Sequence, residues 1–324
     1  MAIKTLREGI TEAIREEMIA DENVIVMGCD VALRGNPFSI TKGLLAEFGP
    51  NRMIDTPISE HSFTGIGIGA AIAGLRPLVE ILYNDWITLP LDQIVNTAAK
   101  SRYMFGGMVN VPIVIRCPFG VGGGVAAQHS QSFESWFNHI PGLKVICPST
   151  PYDVKGLLKS AIRDDNPVVF LEHKRCYQLK GEIPDEEYTV PIGKAAVRRE
   201  GKDVTVVTYS LMTYKSEEAA DELAKEGISV EVIDLRTILP LDYDTVMSSI
   251  EKTNRVVVVH EAVTRGGIGG DIIAEICKRG FDLLEAPPLR VGAPAVPVPY
   301  NSGLEALTQP RTQDIVDVIR KVLE

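Results

Sequence analysis

The sequence contains no cysteine pair at zinc or redox spacing, no surplus of basic residues and no long apolar run, and each absence narrows what it can be. Its five cysteines, Cys29, Cys117, Cys147, Cys176 and Cys277, are scattered, odd in number and free of any CxxC spacing. Neither a disulfide framework nor a zinc site is indicated, and a reducing compartment fits best. The formal net charge of -10 opposes nonspecific binding to a phosphate backbone, so no nucleic acid partner is expected. The longest apolar runs, such as residues 256–259, fall far short of the ~20 residues that span a bilayer, so no membrane partner is expected either. The start, MAIKTLREGI, leads into helical periodicity and is neither an apolar signal segment nor an acidic-poor transit peptide; the expected location is cytoplasmic.

What is present is a folded chain of 324 residues, 45% hydrophobic and 23% charged. That length exceeds one typical domain of roughly 100 to 200 residues, so two domains are expected. Ile3, Leu6, Ile10, Ile14 and Met18 recur at three- and four-residue spacing and predict an amphipathic first helix. Short apolar strands follow at 24–27, 52–54, 77–82, 112–116, 143–147 and 168–171, separated by helical or Gly-bearing stretches. Near-continuous apolar strands with helical crossovers describe a parallel sheet covered on both faces. The pattern lapses over 174–191, which is charged and carries Pro and Gly, and reads as the interdomain linker. A second alternating block predicts strands at 203–209, 229–235 and 255–260 and helices near 214–225, 243–253, 269–278 and 312–322. Pro287, Pro288, Pro294, Pro297 and Pro299 make 286–300 read as an irregular connection. The fold class is α/β, with two parallel-sheet domains at 1–180 and 181–324.

Two glycine clusters invite a phosphate-binding reading. TGIGIGAAIAG at 64–74 is not preceded directly by a strand, because Ser59, Glu60, His61, Ser62 and Phe63 intervene. A dinucleotide fingerprint needs that strand, so close helix packing is the better reading. FGVGGGVAAQHSQS at 119–132 follows a strand directly, which places it at the carboxyl edge of the sheet, where such folds bind ligands. A flexible surface turn is the plainer alternative. Glu60 also follows a strand at that edge, and it reads equally as a first-turn carboxylate favoured by the helix dipole.

Five longer stretches, TPISEHSFTGIGIGAAIAGLRPLVEI, LDQIVNTAAKSRYMFGG, VAAQHSQSFESWF, PGLKVICPSTPYDVKGLLKSAIRDDNPVVFLE and VIDLRTILPLDYDTV, occur in order along the chain. Together they resemble the beta subunits of pyruvate and branched-chain 2-oxo acid dehydrogenases, over essentially the whole length. The resemblance implies a pyrimidine-binding domain of the transketolase-like superfamily, followed by its carboxyl-terminal domain. It implies oxidative decarboxylation of a 2-oxo acid with thiamine diphosphate and reductive acylation of a lipoyl group. An electron sink is needed there because the acyl carbanion has no other low-energy form.

By the same resemblance, Glu60 matches the glutamate that meets the aminopyrimidine ring nitrogen and moves its proton. A carboxyl suits the role, being both acceptor and proton carrier. Ile58, Leu82 and Trp86 fall where the family packs apolar or aromatic groups around that ring, Trp86 departing from the usual tyrosine or phenylalanine. His129 matches a histidine that assists acyl transfer, and an imidazole serves as acid or base near neutrality. Ile113, Ala161, Ile162, Asp164 and Asn166 match a structural potassium site; Asp164 and Asn166 also read as a helix-ending turn before Pro167. The family's diphosphate anchor, a segment beginning GDG and ending in paired asparagines that holds Mg2+, has only a partial echo here in GCDVALRGN. The resemblance therefore implies that an alpha subunit holds the diphosphate and its magnesium, in an alpha2beta2 heterotetramer docked on a lipoyl acyltransferase core. HEAVTRGGIGGDI and DWITLPLDQ lean toward the branched-chain members. The rivals are the carboxyl-terminal half of a split transketolase and a noncatalytic docking scaffold.

Overall fold

The computed structural model describes all 324 residues. They divide into two compact units, Met1–Phe119 with Trp136–Ile192, and Gly120–Ser135 with Gly193–Glu324. No helix is long and apolar enough to cross a membrane.

In the first unit, six strands run parallel. Their order is Lys144–Ile146, Val168–His173, Val114–Phe119, Arg76–Glu80, Val24–Gly28 and Met53–Asp55. Val24–Gly28, Val114–Phe119 and Val168–His173 are buried along their whole length. Such strands cannot alternate apolar with polar side chains, which is why they read as continuous apolar runs. The helices Leu6–Ala20 and Pro151–Arg163 pack together. Their margin carries ion pairs, Lys155 Nζ to Glu16 Oε1 at 2.7 Å and Arg163 Nη2 to Glu17 Oε1 at 2.7 Å.

The first helix begins later than its periodicity predicts. Thr5 and Glu8 form a capping box, so Leu6 is the first helical residue. Ile3 is 64% exposed and lies in the strand Ala2–Thr5, antiparallel to Lys180–Ile183. That second strand falls inside the stretch read as linker. The contact boundary comes at Ile192 and Gly193, and Gly120–Ser135 joins the second unit.

The helix Glu60–Ile72 carries the first glycine cluster. At Gly67 a Cβ would stand 2.7 Å from Val79 Cγ2 and 3.3 Å from Ile113 Cδ1, so close packing demands glycine there. At Gly69 a Cβ would meet nothing within 4 Å. At Gly65 a Cβ would stand 3.2 Å from Gln93 Oε1, so the packing reading holds at Gly67 and Gly65 and not at Gly69.

The second unit has a five-stranded sheet, ordered Leu289–Ala293, Val256–Val263, Val204–Thr208, Val230–Asp234 and Ala196–Arg199. The first four strands are parallel and Ala196–Arg199 is antiparallel, so this sheet is mixed and departs from the all-parallel expectation. Leu289–Ala293 also forms inside the proline-bearing stretch read as irregular. Pro287 and Pro288 precede it and Pro294 follows it, so no proline interrupts its ladder. Leu211–Ala224, Tyr243–Thr253, Ile268–Gly280 and Thr312–Leu323 are the unit's longer helices.

Candidate active site

In a parallel sheet, the carboxyl ends of the strands collect the segments free to bind ligands. Three neighbouring strands of the first unit deliver candidate residues to that rim. Met53–Asp55 leads through Thr56, Pro57, Ile58 and Ser59 to Glu60, the first residue of its helix. Val24–Gly28 delivers Cys29, and Arg76–Glu80 leads to Leu82 and Trp86. Glu60 is 5% exposed, yet its carboxylate has no hydrogen bond or ion pair with any other side chain. A buried carboxylate is costly unless its oxygens are satisfied. The first turn of a helix supplies only the field of the helix dipole.

Glu60 shares this rim with apolar residues. Ile58, two residues earlier, is 86% exposed and packs on nothing within the chain. Cys29 Sγ lies 3.6 Å from the Pro57 carbonyl oxygen, and burial, with the nearby Glu60 charge adding to it, holds its thiol above the usual range. Leu82 is half-buried. The Trp86 ring, also half-buried, meets Tyr83 edge to face at 5.3 Å, and Tyr83 meets Phe38 at 5.9 Å. A carboxyl without a side-chain partner, delivered to the same rim as an aromatic cluster and an exposed isoleucine, fits the base end of a flat, nitrogen-bearing heterocycle.

Behind the rim, Arg76–Glu80 and the next two strands bury a charge cluster in which Glu172 Oε2 is left without a hydrogen-bond partner. Arg116, fully buried, donates to Glu80 Oε2 at 2.5 Å, to Glu172 Oε1 at 2.5 Å and to the Tyr177 hydroxyl at 3.2 Å. Asn36 Nδ2 donates to Glu80 Oε1 at 2.6 Å. Burial raises both carboxyls, Glu172 to about 7, against the opposing pull of Arg116. The asparagine of GCDVALRGN is therefore occupied in holding Glu80. Asp55, for its part, accepts from Ala32 N at 2.7 Å and Leu33 N at 3.0 Å. The partial echo of a metal-binding segment has a structural use here. No group of three or more His, Cys, Asp or Glu side chains is placed to hold a metal ion.

The residues expected to hold potassium lie at the opposite, amino edge of the sheet. The Ile113 carbonyl accepts from Val168 N at 2.9 Å and that of Ala161 from Asp164 N at 3.3 Å. Arg76 Nη1 donates to the carbonyls of Ile162 at 3.0 Å and Asp164 at 3.3 Å. Asp164 Oδ1 accepts from Asn166 N at 2.8 Å and Nδ2 at 2.9 Å, while Lys144 pairs with Oδ2. The helix-ending turn is thus present. Each carbonyl keeps a second lone pair, but two side-chain cations already neutralise the acidic charge. Such a donor set fits a weakly held monovalent ion and does not fit a divalent one.

His129 lies in the second unit, on the loop Gly120–Ser135, and is half-buried. Gly120 N donates to the Gln131 carbonyl at 3.2 Å and closes the base of the loop. Between those ends Gly122, Gly123, Gly124 and Ala126 all have positive φ, so the turn is a wound structure that needs its glycines. One flank of the loop lines a cavity of about 340 Å3 with Glu261, Arg265 and the segment 293–298. Glu261 is its one buried carboxylate. Glu134 accepts from the Tyr209 hydroxyl at 2.6 Å, and burial, reinforced by Glu261, raises its pKa to about 7. Sequence reasoning passed over Glu134, Tyr209, Glu261 and Glu305. Glu134 and Glu261 lay in quoted stretches, but nothing about their spacing marked them.

Two family descriptions account for both units: "Transketolase, pyrimidine binding domain" matches residues 3–180, and "Transketolase, C-terminal domain" matches 193–315. Full-length relatives narrow the class. The pyruvate dehydrogenase E1 component subunit beta of Bacillus subtilis is 46% identical over 325 residues, covering 100% of both chains. That of Rhizobium meliloti is 48% identical over 99% of this chain and 70% of its own. The acetoin:2,6-dichlorophenolindophenol oxidoreductase subunit beta of Cupriavidus necator is 47% identical over 99% and 97%. A solved structure described as "Split gene transketolase, inactive beta4 tetramer" superposes with a TM-score of 0.80 over 98% and 97% of the two chains, at 23% identity, which establishes the shared fold. The chain belongs to this family of dehydrogenase beta subunits within the transketolase-like superfamily.

Proposed function

We propose that the chain is the beta subunit of a thiamine-diphosphate-dependent 2-oxo acid dehydrogenase, supplying the pyrimidine half of a site completed by an alpha subunit. The observation that carries this reading is Glu60, buried at the ligand-binding rim with no side-chain partner of its own. Thiamine diphosphate, when bound, supplies the electron sink that decarboxylation requires. Glu60 exchanges a proton with the aminopyrimidine ring nitrogen, and Ile58, Leu82 and Trp86 pack around the ring and exclude water. His129 acts as acid or base during acyl transfer to a lipoyl group.

Diphosphate and Mg2+ are assigned to the alpha subunit, because no carboxylate cluster here is placed to hold a divalent ion. Potassium, where bound, takes carbonyl oxygens around Ile113, Ala161 and Ile162, with Asp164 and Asn166 shaping the turn. The working assembly is an alpha2beta2 heterotetramer that feeds a lipoyl acyltransferase core in the cytoplasm. The relatives carry pyruvate and acetoin in their names, which does not support the branched-chain lean read from the sequence. A small substrate such as pyruvate is the better reading.

The test is reconstitution with the candidate alpha chain, thiamine diphosphate and Mg2+, assayed by dye reduction with pyruvate, branched 2-oxo acids and acetoin, and separately for ketose transfer. Glu60→Gln should lose roughly 100-fold or more in decarboxylation. Near-normal turnover by that variant would refute the role of Glu60. Activity with ketoses alone would make the protein a transketolase half. A complex that binds an acyltransferase core but turns over nothing would make it a scaffold.

A further inference from the structure

The Gly-rich loop that bears His129 should be floppy by composition. Each glycine adds conformational freedom that ordering must overcome, about 0.5–1 kcal/mol relative to alanine, and an exposed loop amide is otherwise left to water. Two carboxylates from distant parts of the second unit hold its main chain instead. Glu261, near the carboxyl end of the strand Val256–Val263, accepts from Val121 N. Glu305, the last residue of the short helix Ser302–Glu305, accepts from Gly124 N at 3.1 Å. Both are buried, at 4% and 8% exposure. At the far end of the loop, Glu134 is fixed by Tyr209. Charge-assisted bonds from carboxylate to backbone N–H are about twice as strong as neutral ones, so these anchors set where the loop runs.

We infer that Glu261 and Glu305 are positioning residues for His129: by gripping the Val121 and Gly124 amides they hold the loop in the one course that presents the imidazole for acyl transfer. The inference rests on the reading of His129 given above and adds the residues on which its placement depends. Neither glutamate touches substrate in this account, and no proton passes through either.

The experiment uses the reconstituted alpha–beta complex with a free lipoyl domain, measuring lipoyl acylation and dye reduction side by side. Glu305→Ala should lower lipoyl acylation by roughly tenfold to a hundredfold, the penalty of a small misplacement, with dye reduction much less affected. Glu305→Gln keeps a carbonyl acceptor for Gly124 N and should largely restore acylation. Combined with His129→Ala, Glu305→Ala should add nothing further, because an absent imidazole cannot be misplaced. Additive losses in the double variant, or equal losses in both assays, would overturn the inference.

Hydrogen exchange over residues 120–131 supplies an independent measure that needs no activity. Protection should fall in Glu305→Ala and return in Glu305→Gln; unchanged exchange would also overturn the anchoring role. Should His129→Ala itself leave acylation intact, the assigned role of His129 fails. In that case lost protection in Glu305→Ala would still show the grip on the loop, and with nothing to present, the positioning inference falls with the histidine.

Discussion

Replacing Glu134 with glutamine should make stability less sensitive to pH, by an amount the structure allows to be worked out. Glu134 is fully buried and has one side-chain partner, the Tyr209 hydroxyl on Oε1; its Oε2 has none. Burial, with Glu261 adding to it, raises its pKa to about 7 from an ordinary 4.5. A folded pKa above the unfolded one means that the native state holds the proton more tightly. The associated stability is fully present below pH ~4.5 and is lost as pH rises through ~7. A difference of about 2.5 units corresponds to something on the order of 3 kcal/mol. Glutamine keeps the acceptor for Tyr209 and carries no charge at any pH in this range. Its amide nitrogen inherits the unpartnered position of Oε2, a cost of about 1–3 kcal/mol that does not vary with pH. The quantity to follow is therefore the slope: denaturant midpoints of both proteins from pH 4.5 to 8, converted with their m values. The variant should gain on the native chain by about 3 kcal/mol across that window. A difference that stays flat, or that runs the other way, would refute the buried-acid reasoning.

Other perturbations test other parts of the structure. Arg116→Met leaves Glu80 and Glu172 buried without their cation and should cost about 3–5 kcal/mol in denaturant unfolding, less at pH 5 where both acids take up protons; a neutral effect at pH 8 would show that the cluster is not what holds these strands. Gly67→Ala should destabilise by about 1–3 kcal/mol, because its Cβ would collide with Val79, whereas Gly69→Ala in the free chain should be neutral or gain up to about 1 kcal/mol from helix propensity; equal melting shifts for the two would refute this assignment of faces. Thiamine diphosphate with Mg2+ should shift the melting of this chain only when the alpha partner is present, and a clear shift for the chain alone would show a diphosphate site that these residues do not contain.

The sequence made the general architecture legible wherever one physical rule dominated. Buried parallel strands show as apolar runs such as VIVMG, and the helix Thr312–Leu323 announces itself by period. Glu60 was legible as a carboxylate just past a strand. Ile3 misled because its spacing continues the helical stripe, while the capping box at Thr5 starts the helix only after it. Leu289–Ala293 hid among prolines that in fact flank it. The carboxylate anchors of the His129 loop were out of reach for a plainer reason. Glu261 and Glu305 lie 140 and 181 positions from the amides they hold, and pairing across such distances leaves no local pattern.

Two of the buried acid sites of the first unit differ in a way that argues about what each is for. Glu80 and Glu172 share Arg116, whose third nitrogen bonds Tyr177, and Asn36 holds the other oxygen of Glu80, as carboxylates placed for stability should be held. Glu60 stands within the same unit with no such side-chain support. Stability alone gives no reason to keep it, and a residue that makes no side-chain hydrogen bond or ion pair in the free chain is kept for what binds there. Hence the free chain should not need the acid: Glu60→Gln ought to melt at about the same temperature as the native subunit, while losing turnover in the assembled complex. Differential scanning of the isolated subunit, set against dye-reduction rates of the complex, measures both effects. A variant that melts well below the native chain would mean that Glu60 has a structural partner after all, and the case for an incoming heterocycle would lose its main support.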